Sequence, residues 1–342
     1  MSRHRALPLL LTLVAGLSAG FGSARAQTPE EFYKKTRMTI VVGSEEGGSL
    51  SVYARLVAKH ISPYIPGNPT IVIQNIPGAS GLVAANTFAN RLPRDGSTIL
   101  LPQKDTVLAQ ILETDKAKFD TRAFGWIGRM VDYPAVLIVK ASTGVKTFDD
   151  LKKGPIHIGA SGRTSQGGLA VYMMNHFLGT KLVSVLGYRG GPSLYLAMER
   201  GETEARLVPM DSLALQRPDW IKSNYINIIA QESLVPVVDS KLPLIMDMIT
   251  DPHGKQMFKI VDSGSMMGFG LAAPPGTPAD RLAVLRAAFN KVMADPSFLA
   301  AAKQAKLPIN ADIGENLASF VNDVVGTPAD VTAELKRIAK MD

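Results

Sequence analysis

Met38-Thr39-Ile40-Val41-Val42-Gly43-Ser44-Glu45-Glu46-Gly47-Gly48-Ser49 is the stretch on which the fold turns. Its apolar, β-branched half predicts a strand over 38–43, and its second half is a tight turn rich in glycine and serine. After it, Leu50, Tyr53, Ala54, Val57 and Ile61 repeat at the spacing of one helix face, so a helix is expected over 49–61. A helix start carries unpaired N–H groups and the positive end of the dipole, which attract anions. Glycine lets the backbone approach a ligand, and serine hydroxyls add donors. The pattern recurs in the second half of the chain. Gly159-Ala160-Ser161-Gly162-Arg163-Thr164-Ser165 follows Ile156-His157-Ile158 and precedes a helical pattern over 166–177. Two such mouths in two half-chains imply a cleft that closes on a small anionic molecule.

The rest of the chain fits two α/β cycles. Strands are expected at 70–74 and 97–101, with a helix from Gly78-Ala79-Ser80-Gly81 to about residue 90. Residues 126–139 read as one extended stretch. A second cycle then runs through a helix at 147–152, strands at 155–159 and 182–186, a helix at 192–200, and strands at 205–208 and 225–230. A strand at 268–273 follows a loop-rich, Pro- and Met-containing segment. Pro274-Pro275-Gly276-Thr277-Pro278 stops it, and the tail from Ala279 reads as three or four helices with no strand between them. This βαβα order argues for parallel sheets covered by helices on both faces. The expected division is residues 27–127 plus 268–342 in a first lobe and 128–267 in a second.

Residues 1–26 read as an export leader: Arg3 and Arg5 precede an apolar run over 7–21, and Ala24-Arg25-Ala26 offers a small-x-small cleavage site. A mature start near Gln27 and a periplasmic location follow. Without that leader the formal net charge falls from +7 to +4, which makes no case for nucleic acid. The chain has no cysteine, which excludes a disulfide scaffold and a thiolate metal site.

Catalytic patterns are absent. There is no G-x-S-x-G elbow, neither turn carries a P-loop lysine, and the five histidines show no metal-ligand spacing. No cofactor or metal is expected. The candidate binding residues are Ser44, Glu45, Gly47, Gly48, Ser49 and Ser51 in the first turn and helix. Ser161, Arg163, Thr164 and Ser165 are their counterparts in the second, and Tyr188 follows the strand at 182–186. Arg163 has the geometry to grip a carboxylate bidentately or to face solvent as an ordinary loop residue. Tyr188 fits a cleft mouth or hinge packing. Glu45 and Glu46 fit a solvated turn or a pair that tunes the ligand.

The chain resembles the Bug-type solute receptors of tripartite tricarboxylate transporters over nearly all of its mature length. The resemblance is carried by residues 40–49, Ala54-Arg55, Asn75-Ile76-Pro77-Gly78-Ala79-Ser80-Gly81, Pro93-Arg94-Asp95-Gly96-Ser97-Thr98-Ile99, Ala160-Ser161-Gly162, Gly187-Tyr188-Arg189-Gly190, and the segment from Gly270 to Pro278. It implies a type II periplasmic binding fold, in which two α/β lobes hinge around a ligand cleft. It also implies an organic-acid ligand held by Gly47, Gly48 and Ser49 from one lobe and Ser161, Thr164 and Ser165 from the other. The implied partners are that acid, a mono- or dicarboxylate, and the permease subunits of a transporter, served by a monomeric receptor. This chain departs from the family pattern at Ser51, where aspartate is common, and at Glu45-Glu46, which repel a polyanion such as citrate. A sensor input for a signalling kinase and an exported serine hydrolase using Ser49 or Ser161 are the alternatives.

Overall fold

The computed structural model describes residues 27–233 and 241–341, so the expected leader lies outside the described residues. The apolar runs form β1 (Met38–Val42), β2 (Ile71–Asn75), β3 (Thr98–Leu101), β4 (Gly125–Arg129), β5 (Ala135–Lys140), β6 (Ile156–Ala160), β7 (Leu182–Leu186), β8 (Ala205–Pro209), β9 (Ile226–Glu232), β10 (Gly270–Ala273) and β11 (Asp312–Ile313). They build two sheets, in the orders β11-β4-β10-β3-β1-β2 and β7-β6-β8-β5-β9. Strand β1 lies parallel between β2 and β3, with Ile40 opposite Ile73 and Ile99. Strand β6 likewise lies parallel between β7 and β8. Each Gly/Ser turn therefore leaves the carboxyl end of a strand whose neighbours lie on both sides, where open α/β sheets place their ligands.

Neither sheet is purely parallel. The single extended stretch expected over 126–139 is split: β4 belongs to the first sheet and β5 to the second, where β5 pairs antiparallel with β8 and β9. Strand β10 brings the chain back antiparallel to β3 and β4. A strand that carries the chain between sheets has no crossover helix to reverse its direction, so it enters antiparallel. The two connections run side by side. Phe269 N donates to Val131 O at 2.9 Å, Met130 N to Phe269 O at 3.0 Å, and Tyr133 N to Ser265 O at 2.8 Å. Gly268 makes this approach possible: its φ is +47°, and a Cβ there would lie 2.0 Å from Val131 O.

The helix Ser49–Ile61 buries Leu50, Tyr53, Ala54, Val57 and Ile61, the face expected from their spacing. That face packs in one core with β1, Phe269 and the helices Ala279–Met293 and Pro296–Gln304. Burying each of the large members contributes about 1.5–3 kcal/mol. A second core lies on the other sheet and takes in Leu169, Met173, Met174, Met257 and Phe258. It also takes Leu108 and Leu112 from the helix Thr106–Leu112, and Val331, Leu335 and Ile338 from the helix Ala329–Ile338. The tail contains four helices, as read, and also the two-residue strand β11, which pairs with Gly128 and Arg129. Two residues are too few for an alternating pattern to register.

Candidate functional site

The first turn is braced from behind. Asn75, at the end of β2, donates through Nδ2 to Ser44 O at 2.8 Å and to Ser51 Oγ at 2.7 Å. Ser51 Oγ in turn donates to Glu45 O at 3.2 Å. Ser51 thus holds the turn's shape. Gly48 caps the helix Ser49–Ile61 without a side chain, and the buried Ser49 hydroxyl has no hydrogen-bond partner among the described residues. A buried hydroxyl left unpaired costs free energy that a ligand or water restores.

The second turn is built differently. Ser165 caps the helix Gln166–Leu178 by accepting from Gly168 N at 3.1 Å, and its hydroxyl donates to Gly162 O at 2.7 Å. Gly168 packs so closely that a Cβ would fall 2.2 Å from Gly162 O. Gln166 then ties the units together. Its backbone N–H donates to Asp105 Oδ1 and its Nε2 to Asp262 Oδ1 and Ser265 Oγ, all at 2.9 Å, while its Oε1 accepts from Lys104 Nζ. Two further contacts cross between the turns. Ser80 Oγ donates to Ser161 Oγ at 3.4 Å. Glu45 Oε1 accepts from Ser193 N at 3.2 Å and Ser193 Oγ at 3.3 Å, at the start of the helix Gly191–Arg200. A carboxylate there meets the positive end of the helix dipole.

Between the turns lies a cavity of about 120 Å³. Of the residues expected from sequence, Ser44, Glu45, Gly48, Ser49, Ser161 and Ser165 line it. Gly47, Ser51, Arg163, Thr164 and Tyr188 stand behind or beside it. Gly47 is exposed at φ +81°. Arg163 donates to Ala339 O at 3.0 Å and Lys340 O at 2.7 Å and lies over the Tyr172 ring, so it fastens the second turn to the C-terminal helix. The Thr164 hydroxyl is spent on Glu113 Oε1. Tyr188 donates to Glu202 Oε2 at 3.1 Å. Glu46 is exposed, so only one of the two glutamates reaches the cavity.

The wall also holds groups that sequence reading passed over: Lys104, Asp105, Tyr133 and Arg206. Lys104-Asp105 follows β3 and precedes a helix, the same strand–turn–helix arrangement without glycine to mark it. Arg206 sits in mid-strand in β8, where an alternating pattern gives an arginine no function. It is 4% exposed. Its Nη1 donates to Gly191 O at 3.1 Å, its Nε to Leu207 O at 3.4 Å, and its guanidinium lies 4.3 Å from the centre of the Tyr195 ring. Burial pushes its pKa down, while Tyr195 and Tyr133 oppose that shift. Beside Lys104, burial raises Asp105 above the usual carboxylate range and pushes Glu232 up to about 8; Lys104 opposes both shifts, and Asp262 and Asp105 add to that of Glu232.

Among the described residues, no histidine lines the cavity. His157 Nδ1 pairs with Glu204 at 3.1 Å, and the His60 ring packs edge-on against Phe298.

The sequence profile of the tripartite tricarboxylate transporter family receptor matches residues 53–335. A UPF0065 protein of Bordetella bronchiseptica is 24% identical over 287 residues, covering 82% of this chain and 79% of that one. Among solved structures, the periplasmic binding protein BugD superposes with a TM-score of 0.69 at 23% identity, over 90% of this chain and 99% of that one. R. palustris Rpa4515, solved with adipate, superposes with a TM-score of 0.69 at 19% identity, over 90% and 98%.

Proposed function

Since the chain belongs to the receptor family of tripartite tricarboxylate transporters, we propose that it captures a small organic acid, a mono- or dicarboxylate, between its two sheets and presents the loaded form to the permease subunits of such a transporter. One observation carries the ligand reading: two thirteen-residue helices start at one cavity, and the first brings a buried hydroxyl that no described residue satisfies. Both N-termini favour negative charge. The adipate in the Rpa4515 structure supports the same ligand class. Direct contact falls to Ser44, Gly48, Ser49, Ser161 and Ser165, with Ser51, Arg163 and Thr164 holding the turns in place. The role is binding without catalysis, and the hinge lies at residues 130–134 and 267–269. Closure then depends on the ligand touching both units, because a ligand shifts the equilibrium only by its differential contacts. The leader directs the chain to the periplasm, where it acts as a monomer from about Gln27.

Thermal-shift screening of the mature protein tests this, with aliphatic and aromatic mono- and dicarboxylates, citrate and amino acids. An acid at a hundred times its Kd adds about 2.7 kcal/mol to stability, a shift of several degrees. The absence of a shift with every acid would refute the organic-acid reading.

A further inference from the structure

We propose that Arg206 is the counter-charge for the ligand's carboxylate, and that the cavity accepts one carboxylate and discriminates against two. The inference rests on the organic-acid reading and sharpens it. Among the described residues, four charged side chains line the cavity: Glu45, Lys104, Asp105 and Arg206. Three are already engaged. Lys104 Nζ donates to Gln166 Oε1 and lies over the Tyr133 ring, and Asp105 Oδ1 accepts from Gln166 N at 2.9 Å. Glu45 is held at a helix start by Ser193.

Arg206 differs. It is nine-tenths buried, yet its partners are two backbone carbonyls and the face of Tyr195, with no carboxylate among them. Its Nη2 donates to no protein atom among the described residues. The second arginine on the same ring, Arg217, is neutralised by Glu199 at 2.7 Å. A buried charge without a partner is expensive to keep, and a guanidinium fixed by two carbonyls and a ring is preorganised for a planar anion. An incoming carboxylate supplies the missing charge. A second carboxylate on the same ligand finds Lys104 already tied to Gln166 and meets Glu45 or Asp105 in the wall, at low effective dielectric.

The test is titration calorimetry of the mature protein at pH 7.5 with ligands matched in carbon skeleton: butyrate and succinate, hexanoate and adipate, benzoate and terephthalate, together with the neutral amide of each monoacid. The wild type is expected to bind at least one monocarboxylate on the order of tenfold or more tightly than its diacid, and about ten- to a hundredfold more tightly than its amide. Arg206→Gln, checked for fold by circular dichroism, is expected to remove the preference for acid over amide. Glu45→Gln is expected to narrow the gap between monoacid and diacid. A diacid that binds as tightly as its monoacid, or an amide that matches its acid, overturns the inference but leaves the receptor reading intact. Silence from every acid overturns both. The acid–amide comparison uses only the wild type, so it decides even where Arg206→Gln does not fold.

Discussion

Glu232 ends β9 inside the polar cluster beside the cavity, fully buried, with Lys104, Asp105 and Asp262 acting on it. Burial pushes its pKa up to about 8 from the ordinary 4.5. Between those values the folded chain keeps a proton that the unfolded chain has released, so stability falls as pH rises through the interval. It is highest below about pH 4.5 for this group and levels off above about pH 8. The slope for one such group reaches about 1.4 kcal/mol per pH unit. At roughly 2–4 °C per kcal/mol, the melting temperature drops by several degrees between pH 5.5 and 7.5. Glu232→Gln removes the titrating proton while keeping the shape and a hydrogen-bonding head. Differential scanning fluorimetry of both proteins across that range is the assay. The variant's profile is expected to be flatter, with the two curves diverging toward high pH in the variant's favour. Parallel curves would refute the reasoning, because they would mean that Glu232 titrates alike in the folded and unfolded chain.

Three further outcomes are expected. Ser49→Ala removes a hydroxyl with no partner among the described residues, so it should weaken binding of the acid found in the screen by about 0.5–1.5 kcal/mol while leaving the unliganded melting temperature unchanged or raised; unchanged affinity in calorimetry would remove Ser49 from the site. Gly268→Ala places a methyl against Val131 O at φ +47° and should cost at least about 1–3 kcal/mol in urea unfolding; a neutral result would mean that the paired connections shift freely. Arg163→Ala should speed amide exchange over residues 329–338 and change ligand affinity by less than about threefold, since the guanidinium serves the carbonyls of Ala339 and Lys340. A loss of affinity confined to acids would return Arg163 to the binding site.

The local grammar of the fold was readable because it depends on neighbours in sequence. Strand, turn and helix at 38–61 and at 156–178 follow from β-branched runs, glycine and helical spacing, and the buried face of Ser49–Ile61 is the one its periodicity marks. What could not be read depends on contacts distant in sequence. Asp132 and Pro134 mark the break between β4 and β5, but nothing local says that the two strands join different sheets. Arg163 and Thr164 look like ligand contacts in sequence, but the C-terminal helix and Glu113 claim them first. Glu45 and Glu46 are adjacent and chemically alike, yet one reaches a helix start across the cleft and the other faces solvent.

Arg206 is the sharpest case. By itself the sequence determined that there are two α/β units, each with an anion-attracting turn at the end of a parallel strand, because backbone dipoles and side-chain periodicity are local properties. Only the tertiary structure decided which charges meet at the cavity. Electrostatic partnership depends on distance through the folded protein, and among the described residues the partners of the mid-strand Arg206 are two carbonyls and the Tyr195 ring.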